Sequence, residues 1–331
     1  MFSEQQAPMW FRPAWPRDYP MEYYEENKQY DPTTVFYYDM YGPYQQLILS
    51  QLAQGHKIIY DAKNEHYVSP DKHWVLDAFK NHPGQGMVVI SGHTPQSIPG
   101  VKVVATPYWY WILDQQKFLN YHYDSYAQAP THQNKFFMQM SLSRPDRDNL
   151  WKQVQPILPM GLYSYKSQGV HLPNDVNPNQ VHDWQRYMNW DWINSCSITL
   201  VIESNLDDHD ITGFSVTQND NKFICEKTYK PIAYGHAFLL ASTRGNLAHV
   251  REQGFETFPE LWDESYDDLP DYLQRVDAIM TIIKNFDHGS LNNPVVQQKI
   301  AHNRQRFFDT ELAARLLRET VVEPVIAFVN E

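Results

Sequence analysis

Two stretches of the sequence gather cations where a helix is expected to begin. The first, Ser141-Leu-Ser-Arg-Pro-Asp-Arg-Asp148, follows an expected strand and carries Arg144 and Arg147 at the start of a helix. Guanidinium groups beside free backbone N–H donors suit an anionic group, although two such arginines are more often solvated or salt-bridged surface. The second, Phe223-Ile-Cys-Glu-Lys-Thr-Tyr-Lys-Pro-Ile232, lies downstream of Val201-Ile-Glu-Ser204 and places Glu226 and Lys227 at the opening of a helix expected over Lys227–Tyr234. A lysine there meets the positive end of the helix dipole and is mildly costly unless an anion lies in front of it. The expected anion is a phosphate-bearing ligand.

Proton-transfer and metal-ligand candidates are sparser. Ser91-Gly-His-Thr-Pro95 puts His93 after an expected strand, where an imidazole can act as a base near neutral pH without tuning. With 14 histidines in the chain, an ordinary loop residue is the simpler reading, and Asp61 and Glu65, after the preceding strand, are rivals. Asp207-Asp-His-Asp210 contains Asp208-x-Asp210, a spacing that can hold a divalent metal and a diphosphate. Among 39 acidic residues such a match arises easily, and a polar acidic insertion needs no explanation beyond solvation. No metal is assigned, Asp208 and Asp210 being the weak candidates; the match at Asp146 and Asp148 is weaker still.

Composition excludes several classes. The 331 residues carry 27 Lys plus Arg against 39 Asp plus Glu, a net charge of −12, which argues against a charge-driven nucleic-acid binder with a broad basic face. At 42% hydrophobic and 20% charged, the chain is neither disordered nor a membrane protein. Gly is only 13 residues, and neither the P-loop nor the dinucleotide glycine fingerprint occurs. Cys196 and Cys225 are far apart, so neither a disulfide framework nor a zinc site is expected. With no signal peptide, no N-x-[ST] sequon and no apolar run of about 18 residues, a cytoplasmic protein without a membrane partner is expected.

Strand and helix patterns alternate along the chain. Strands are expected at His56–Asp61, Gly86–Ser91 and Val101–Ala105, with helices at Gln46–Leu52 and Pro70–Lys80. Past a polar linker at Tyr121–Asn134 come strands at Lys135–Met140, Gly161–Tyr165, Ser197–Glu203 and Ala237–Ala241. Helices are expected at Asp148–Val154, Gly245–Gln253 and Asp271–Asn285, then helical spacing from Val295 to about Val329, kinked or broken by Pro324. This is an α/β fold of two consecutive parallel sheets, two Rossmann-like lobes with a carboxyl-terminal helix, whose ligands sit at the carboxyl ends of strands. The expected division is an amino-terminal lobe over 1–134, a second lobe over 135–300, and a terminal helix over 301–331 that packs on the lobes. The aromatic-rich stretch before residue 45, with Trp10, Phe11, Trp15, Phe36, Tyr37 and Tyr38, reads as an irregular arm packed by its rings, or as a sugar-stacking or partner surface.

The run Glu203-Ser204 … Phe223-Ile-Cys-Glu-Lys-Thr-Tyr-Lys-Pro-Ile-Ala-Tyr-Gly235 … Phe238-Leu-Leu240 resembles the donor-binding motif of α1,3-fucosyltransferase-like glycosyltransferases, and more closely the glycosyltransferase-like proteins of phages and large viruses. The segment from Ser143 to Leu150 is similar to the strand–loop–Arg element of that family, and Cys225 stands where the family usually has Thr. The resemblance covers roughly residues 135–265. It implies a GT-B architecture and inverting, metal-independent transfer from a nucleotide-diphosphate sugar, used as co-substrate with no cofactor. It implies that Arg147 and Lys227 neutralise the diphosphate and that Glu226 bonds donor hydroxyls on ribose or sugar, with Arg144, Glu203, Ser204 and Tyr163 expected to complete the donor site. The first lobe would hold the acceptor, a glycan, a protein or a modified base in viral DNA, in which case the location would be host cytoplasm. Residues 1–134 carry no surplus of Lys and Arg to favour DNA. A non-catalytic carbohydrate-binding or virion protein, and a metal-dependent GT-A transferase using Asp208 and Asp210, are the other readings.

Overall fold

A computed structural model describes residues 35–39, 44–62, 73–91, 100–106, 132–172, 190–204, 206 and 224–331. Among these, residues 35–106 with 310–331 form one compact unit and residues 132–309 another. The protein is mixed α/β, with a parallel sheet in each unit and a carboxyl-terminal helix.

The first sheet runs β1 (Val35–Asp39), β2 (Lys57–Ala62), β3 (Gly86–Ser91), β4 (Lys102–Thr106), each strand parallel to the next in chain order. Helices α1 (Gln45–Ala53) and α2 (His73–Asn81) lie in the β1–β2 and β2–β3 connections. Ile58, Ile59, Tyr60, Met87, Val88 and Val89 are all buried, the pattern of strands covered on both faces. Ile48 and Leu52 of α1 and Val75, Leu76 and Phe79 of α2 join Ile58, Tyr60 and Val88 in one core. Gly86 opens β3 beneath the Phe79 ring, where a Cβ would lie 2.1 Å from Cγ.

The chain's end belongs to this unit. Helix residues Thr310–Leu317, a π turn at Arg318–Val322 and the last helix, Glu323–Asn330, bury Val321, Val322, Val325 and Phe328. Lys57 Nζ donates to the carbonyls of Phe328 at 2.7 Å and Val329 at 3.1 Å, satisfying groups that a helix end leaves open.

In the second sheet the order is β6 (Gly161–Tyr165), β5 (Asn134–Met140), β7 (Cys196–Ile202), β8 (Ala237–Ala241), all parallel. The chain steps from β5 outward to β6, then returns past β5 to β7. The loops after β5 and β7 therefore leave neighbouring strands toward opposite sides, which opens a crevice at their carboxyl ends. Helix α3 (Pro145–Val154) follows β5, α4 (Trp190–Asn194) precedes β7, and α5 (Glu226–Tyr234) joins β7 to β8. Helices α6 (Asn246–Glu252), α7 (Tyr272–Asn285) and α8 (Pro294–Phe307) complete the unit, α9 and α10 being the two terminal helices of the first. All residues of β7 and β8 are buried. Phe238, Phe258, Trp262 and Phe286 form a chain of edge and tilted ring contacts beside them, with centroids 5.5, 6.2 and 6.1 Å apart.

Several expectations need adjustment. Val35–Asp39, placed in an irregular arm, is a strand of aromatic and β-branched residues whose backbone pairs in register with β2. Trp190–Asn194 was not expected as a helix, being only 5 residues long. The single terminal helix is divided: residues to Phe307 stay with the second unit, and 310–331 join the first. The expected break at Pro324 is present as the π turn Arg318–Val322, after which Pro324 stands in the first turn of a new helix, where no N–H partner is needed. Residues 132–134, assigned to the amino lobe, lie in the second unit, and the rest of the linker lies outside the described residues. Among the described residues no helix is long and apolar enough to cross a membrane.

Candidate functional site

Helix α5 begins where β7 ends, and Glu203 ties the two together. This carboxylate is 1% exposed. Its Oε1 accepts the Cys225 N–H at 3.1 Å and the Thr228 hydroxyl at 2.6 Å; Oε2 accepts the Cys225 thiol at 2.8 Å and the Ser204 N–H at 3.3 Å. Glu203 thus takes up the N–H of the N-cap residue from outside the helix, the part that a Glu at N3 plays in a capping box. Cys225 occupies that N-cap with extended backbone, and burial, followed by Glu203 and Glu226, pushes its thiol well above the ordinary range. The protonated thiol donates to Glu203 as a hydroxyl would, which accounts for a cysteine where a threonine was the expected type. At the other end Gly235, with φ 74°, closes the helix in the left-handed conformation.

Two cations converge on Ser204, and a third, Arg147, lies beside them. Arg144 donates through Nη1 to the Ser204 carbonyl at 3.0 Å, and Lys227 Nζ lies 3.4 Å from its hydroxyl. Arg147 donates to Leu142 O at 3.3 Å and Glu203 O at 3.2 Å, spanning the carboxyl ends of β5 and β7 across the switch in strand order. Lys227 also reaches Glu226 Oε1 at 2.8 Å and Cys225 Sγ at 3.0 Å, and its side chain keeps 28% exposure. Burial acts against the Lys227 ammonium, yet Cys225, Glu226 and Glu203 together raise it above its usual value, so it stays charged. Burial likewise opposes the Glu226 carboxylate, but Lys227 and Lys230 hold it at about 2. Among the described residues no acceptor meets the N–H groups of Glu226 or Lys227 at the start of α5.

The loop after β5 is fixed by its own acids. Asp148 accepts from Ser143 Oγ at 2.6 Å and from the Tyr165 hydroxyl; Asp146 accepts the N–H of Arg147 at 2.9 Å and of Leu206 at 3.3 Å. The Asp146-x-Asp148 pair is therefore spent on separate loop contacts. Ser167 Oγ accepts the Ser143 N–H at 2.9 Å and donates to Ser141 O at 2.6 Å, joining the β5 and β6 loops.

The residues expected around the donor fall into two groups. Arg144, Ser204, Glu226 and Lys227 come together at the crevice. Glu203 and Arg147, although adjacent, are 1% and 4% exposed and bond mainly to the protein itself, so they hold the site's frame, with the buried Arg147 Nε alone left without an acceptor among the described residues. Tyr163 lies within β6, the strand expected there, its ring 5.9 Å from that of Trp151 on α3. Asp61 lies in β2 opposite Asp39 and Val89. His93, Glu65, Asp208 and Asp210 lie outside the described residues. Sequence reasoning passed over Lys230 and Lys166, which add two charges near the same helix start; the signal for Lys230 was its spacing of three from Lys227 on an expected helix.

The full sequence matches no protein-family model and no curated protein. The site itself is of a recognisable physical class: a cationic crevice at the switch point of a parallel α/β sheet, walled by a helix amino terminus. Such a place favours anions, phosphates above all.

Proposed function

We propose that the protein is a glycosyltransferase of the GT-B kind, with two Rossmann-like lobes, which moves a sugar from a nucleotide-diphosphate donor to an acceptor hydroxyl with inversion. The observation that carries this reading is the convergence of Arg144 and Lys227 on Ser204 at the start of α5, where the N–H groups of Glu226 and Lys227 meet no acceptor among the described residues. The departing nucleoside diphosphate gains negative charge as the glycosidic bond breaks. Fixed cations and a helix dipole aimed at that charge stabilise the transition state more than the ground state. Lys227 and Arg144 carry the charge that a divalent ion supplies in metal-dependent transferases, and Glu226 is placed beside them for donor hydroxyls. Glu203 keeps α5 and its cations in register with β7. The candidates for an acceptor-side base are Asp61, near the carboxyl end of β2, and Glu65 and His93, which follow β2 and β3 in sequence.

The test is donor-dependent hydrolysis or transfer with GDP-, UDP-, ADP- and CDP-sugars, each with and without EDTA. Release of one nucleoside diphosphate, unchanged by EDTA and reduced at least about a hundredfold in Lys227→Ala, is the expected result, given that one transition-state donor contributes about 2.7–4 kcal/mol. Turnover that vanishes with EDTA would move the reading to a metal-dependent transferase. Absence of both turnover and binding would remove the transferase reading.

A further inference from the structure

Lys230 is half-buried, and among the described residues no hydrogen bond or close ion pair engages its ammonium. It follows Lys227 by three residues and Glu226 by four on α5, spacings that place side chains along one helical face. Lys166, after β6, adds positive charge to the same region. Among the described residues the acid acting on Lys230 is Glu226, which is already bonded to Lys227 at 2.8 Å. Arg147 Nε, buried beside the start of α5, also has no acceptor. A partly desolvated cluster of like charges with spare donors is costly in the free protein, and an anionic ligand recovers that cost.

We propose that Lys230 is a second phosphate-binding lysine, which together with Lys227 grips one diphosphate in front of the amino terminus of α5. The proposal rests on the reading of this crevice as a nucleoside-diphosphate site and extends it to a residue outside the expected motif. The groups acting on Lys230 are Glu226, Lys227 and Cys225 from the start of its own helix and Lys166 from the end of β6. Burial lowers its affinity for a proton most; Glu226 opposes this, Lys227 and Lys166 add to it, and the amine sits at about 8. Because its folded value lies below the ordinary 10.5, the folded state holds fewer protons than the unfolded chain between those values. Stability therefore rises with pH through that window, and the full cost is carried at pH 7. An arriving diphosphate reverses the imbalance, so binding near pH 8 draws in a proton.

Calorimetric titration and thermal melting of the full chain test this, comparing wild type, Lys230→Met and Lys230→Arg against GDP, UDP, ADP, CDP and pyrophosphate. At pH 8, titrations in two buffers of different ionisation enthalpy count the protons taken up. Lys230→Met is expected to melt above wild type without ligand, yet to bind the preferred nucleotide about tenfold more weakly, as for loss of one charge-assisted bond. Wild type is expected to take up about half a proton per nucleotide, from an amine half-charged at that pH, and Lys230→Met none. Lys230→Arg is expected to restore affinity without proton uptake. Equal affinity and equal proton uptake in wild type and Lys230→Met would overturn the role of Lys230 while leaving the nucleotide site standing. Lys230-dependent binding of pyrophosphate alone would support Lys230 and remove the nucleotide; no binding of any probe by wild type would overturn both.

Discussion

Glu203→Ala removes the outside cap of α5 and shows how much of the site depends on a residue that faces away from any ligand. The substitution strands the Cys225 N–H and the Thr228 hydroxyl, now held at 3.1 and 2.6 Å, and frees the Cys225 thiol and the Ser204 N–H. Each stranded buried donor costs about 1–3 kcal/mol, and relief of the buried carboxylate's own desolvation offsets part of the sum. A net loss of about 3 kcal/mol is expected, which lowers the melting temperature of the second unit by roughly 6–12 °C. Glu203→Gln keeps a carbonyl oxygen for the Cys225 N–H and Thr228 but sets an amide against the Ser204 N–H, so its loss is expected at about half that size. Differential scanning calorimetry, with urea unfolding as the check, reads both. Nucleotide affinity should fall along with stability, because Lys227 and the free N–H groups belong to the turn that Glu203 fixes. A Glu203→Ala protein within about 0.5 kcal/mol of wild type would refute the reasoning, since that is the effect of an ordinary surface change.

Other expectations follow from the same geometry. Gly161→Ala drives a Cβ to 2.4 Å from the ring of fully buried Phe136, so a loss of about 1–3 kcal/mol is expected in urea unfolding. Gly235→Ala meets only ordinary van der Waals contact, Ile300 Cγ2 being 3.6 Å and Arg304 Cδ 3.7 Å away, and should lose only the roughly 1–2 kcal/mol of a left-handed φ. Both cysteines are buried, and burial pushes Cys196 up to about 11 and Cys225 well above its ordinary range. Neither should react with a thiol reagent at pH 7.5 until the protein is unfolded. Asp267 is raised by burial from 3.8 to about 6, so the folded state keeps a proton that the unfolded chain gives up between those values. Stability should therefore fall by about 3 kcal/mol as pH rises through that window, and Asp267→Asn, still able to accept the Leu247 N–H, should flatten that fall in melts taken from pH 4 to 7.

How far the sequence could be read depended on whether its signals were local. β8 is a continuous apolar run and β7 is rich in β-branched residues, and buried parallel strands have that composition wherever they lie, so both were legible with near-correct ends. Lys227 was legible because a lysine at a helix start is a local electrostatic oddity. The separation of Glu203 and Arg147 from the residues that face the crevice was not legible: both bond to main-chain groups of segments distant in sequence, and only packing decides that a carboxylate caps a helix 22 residues onward. Strand order was equally hidden, since nothing between β6 and β7 states on which side of β5 the chain returns. β1 was missed because its aromatic residues sit in a stretch where rings abound and alternation gives no contrast. The terminal segment's membership in the first unit rests on Lys57 and buried Val321, Val322 and Phe328, contacts across more than 200 residues of chain that helical spacing alone does not contain.

The central claim is that the crevice between the ends of β5 and β7 binds the diphosphate of a nucleotide sugar. Thermal melting of wild type and Lys227→Ala with GDP-, UDP-, ADP- and CDP-sugars at graded concentrations tests it most directly. A ligand at one hundred times its dissociation constant stabilises the folded state by about 2.7 kcal/mol, so one donor should raise the melting temperature by several degrees in wild type and leave Lys227→Ala unmoved. Failure of all four donors at millimolar concentration to shift the wild-type transition, or an equal shift in Lys227→Ala, would contradict the account.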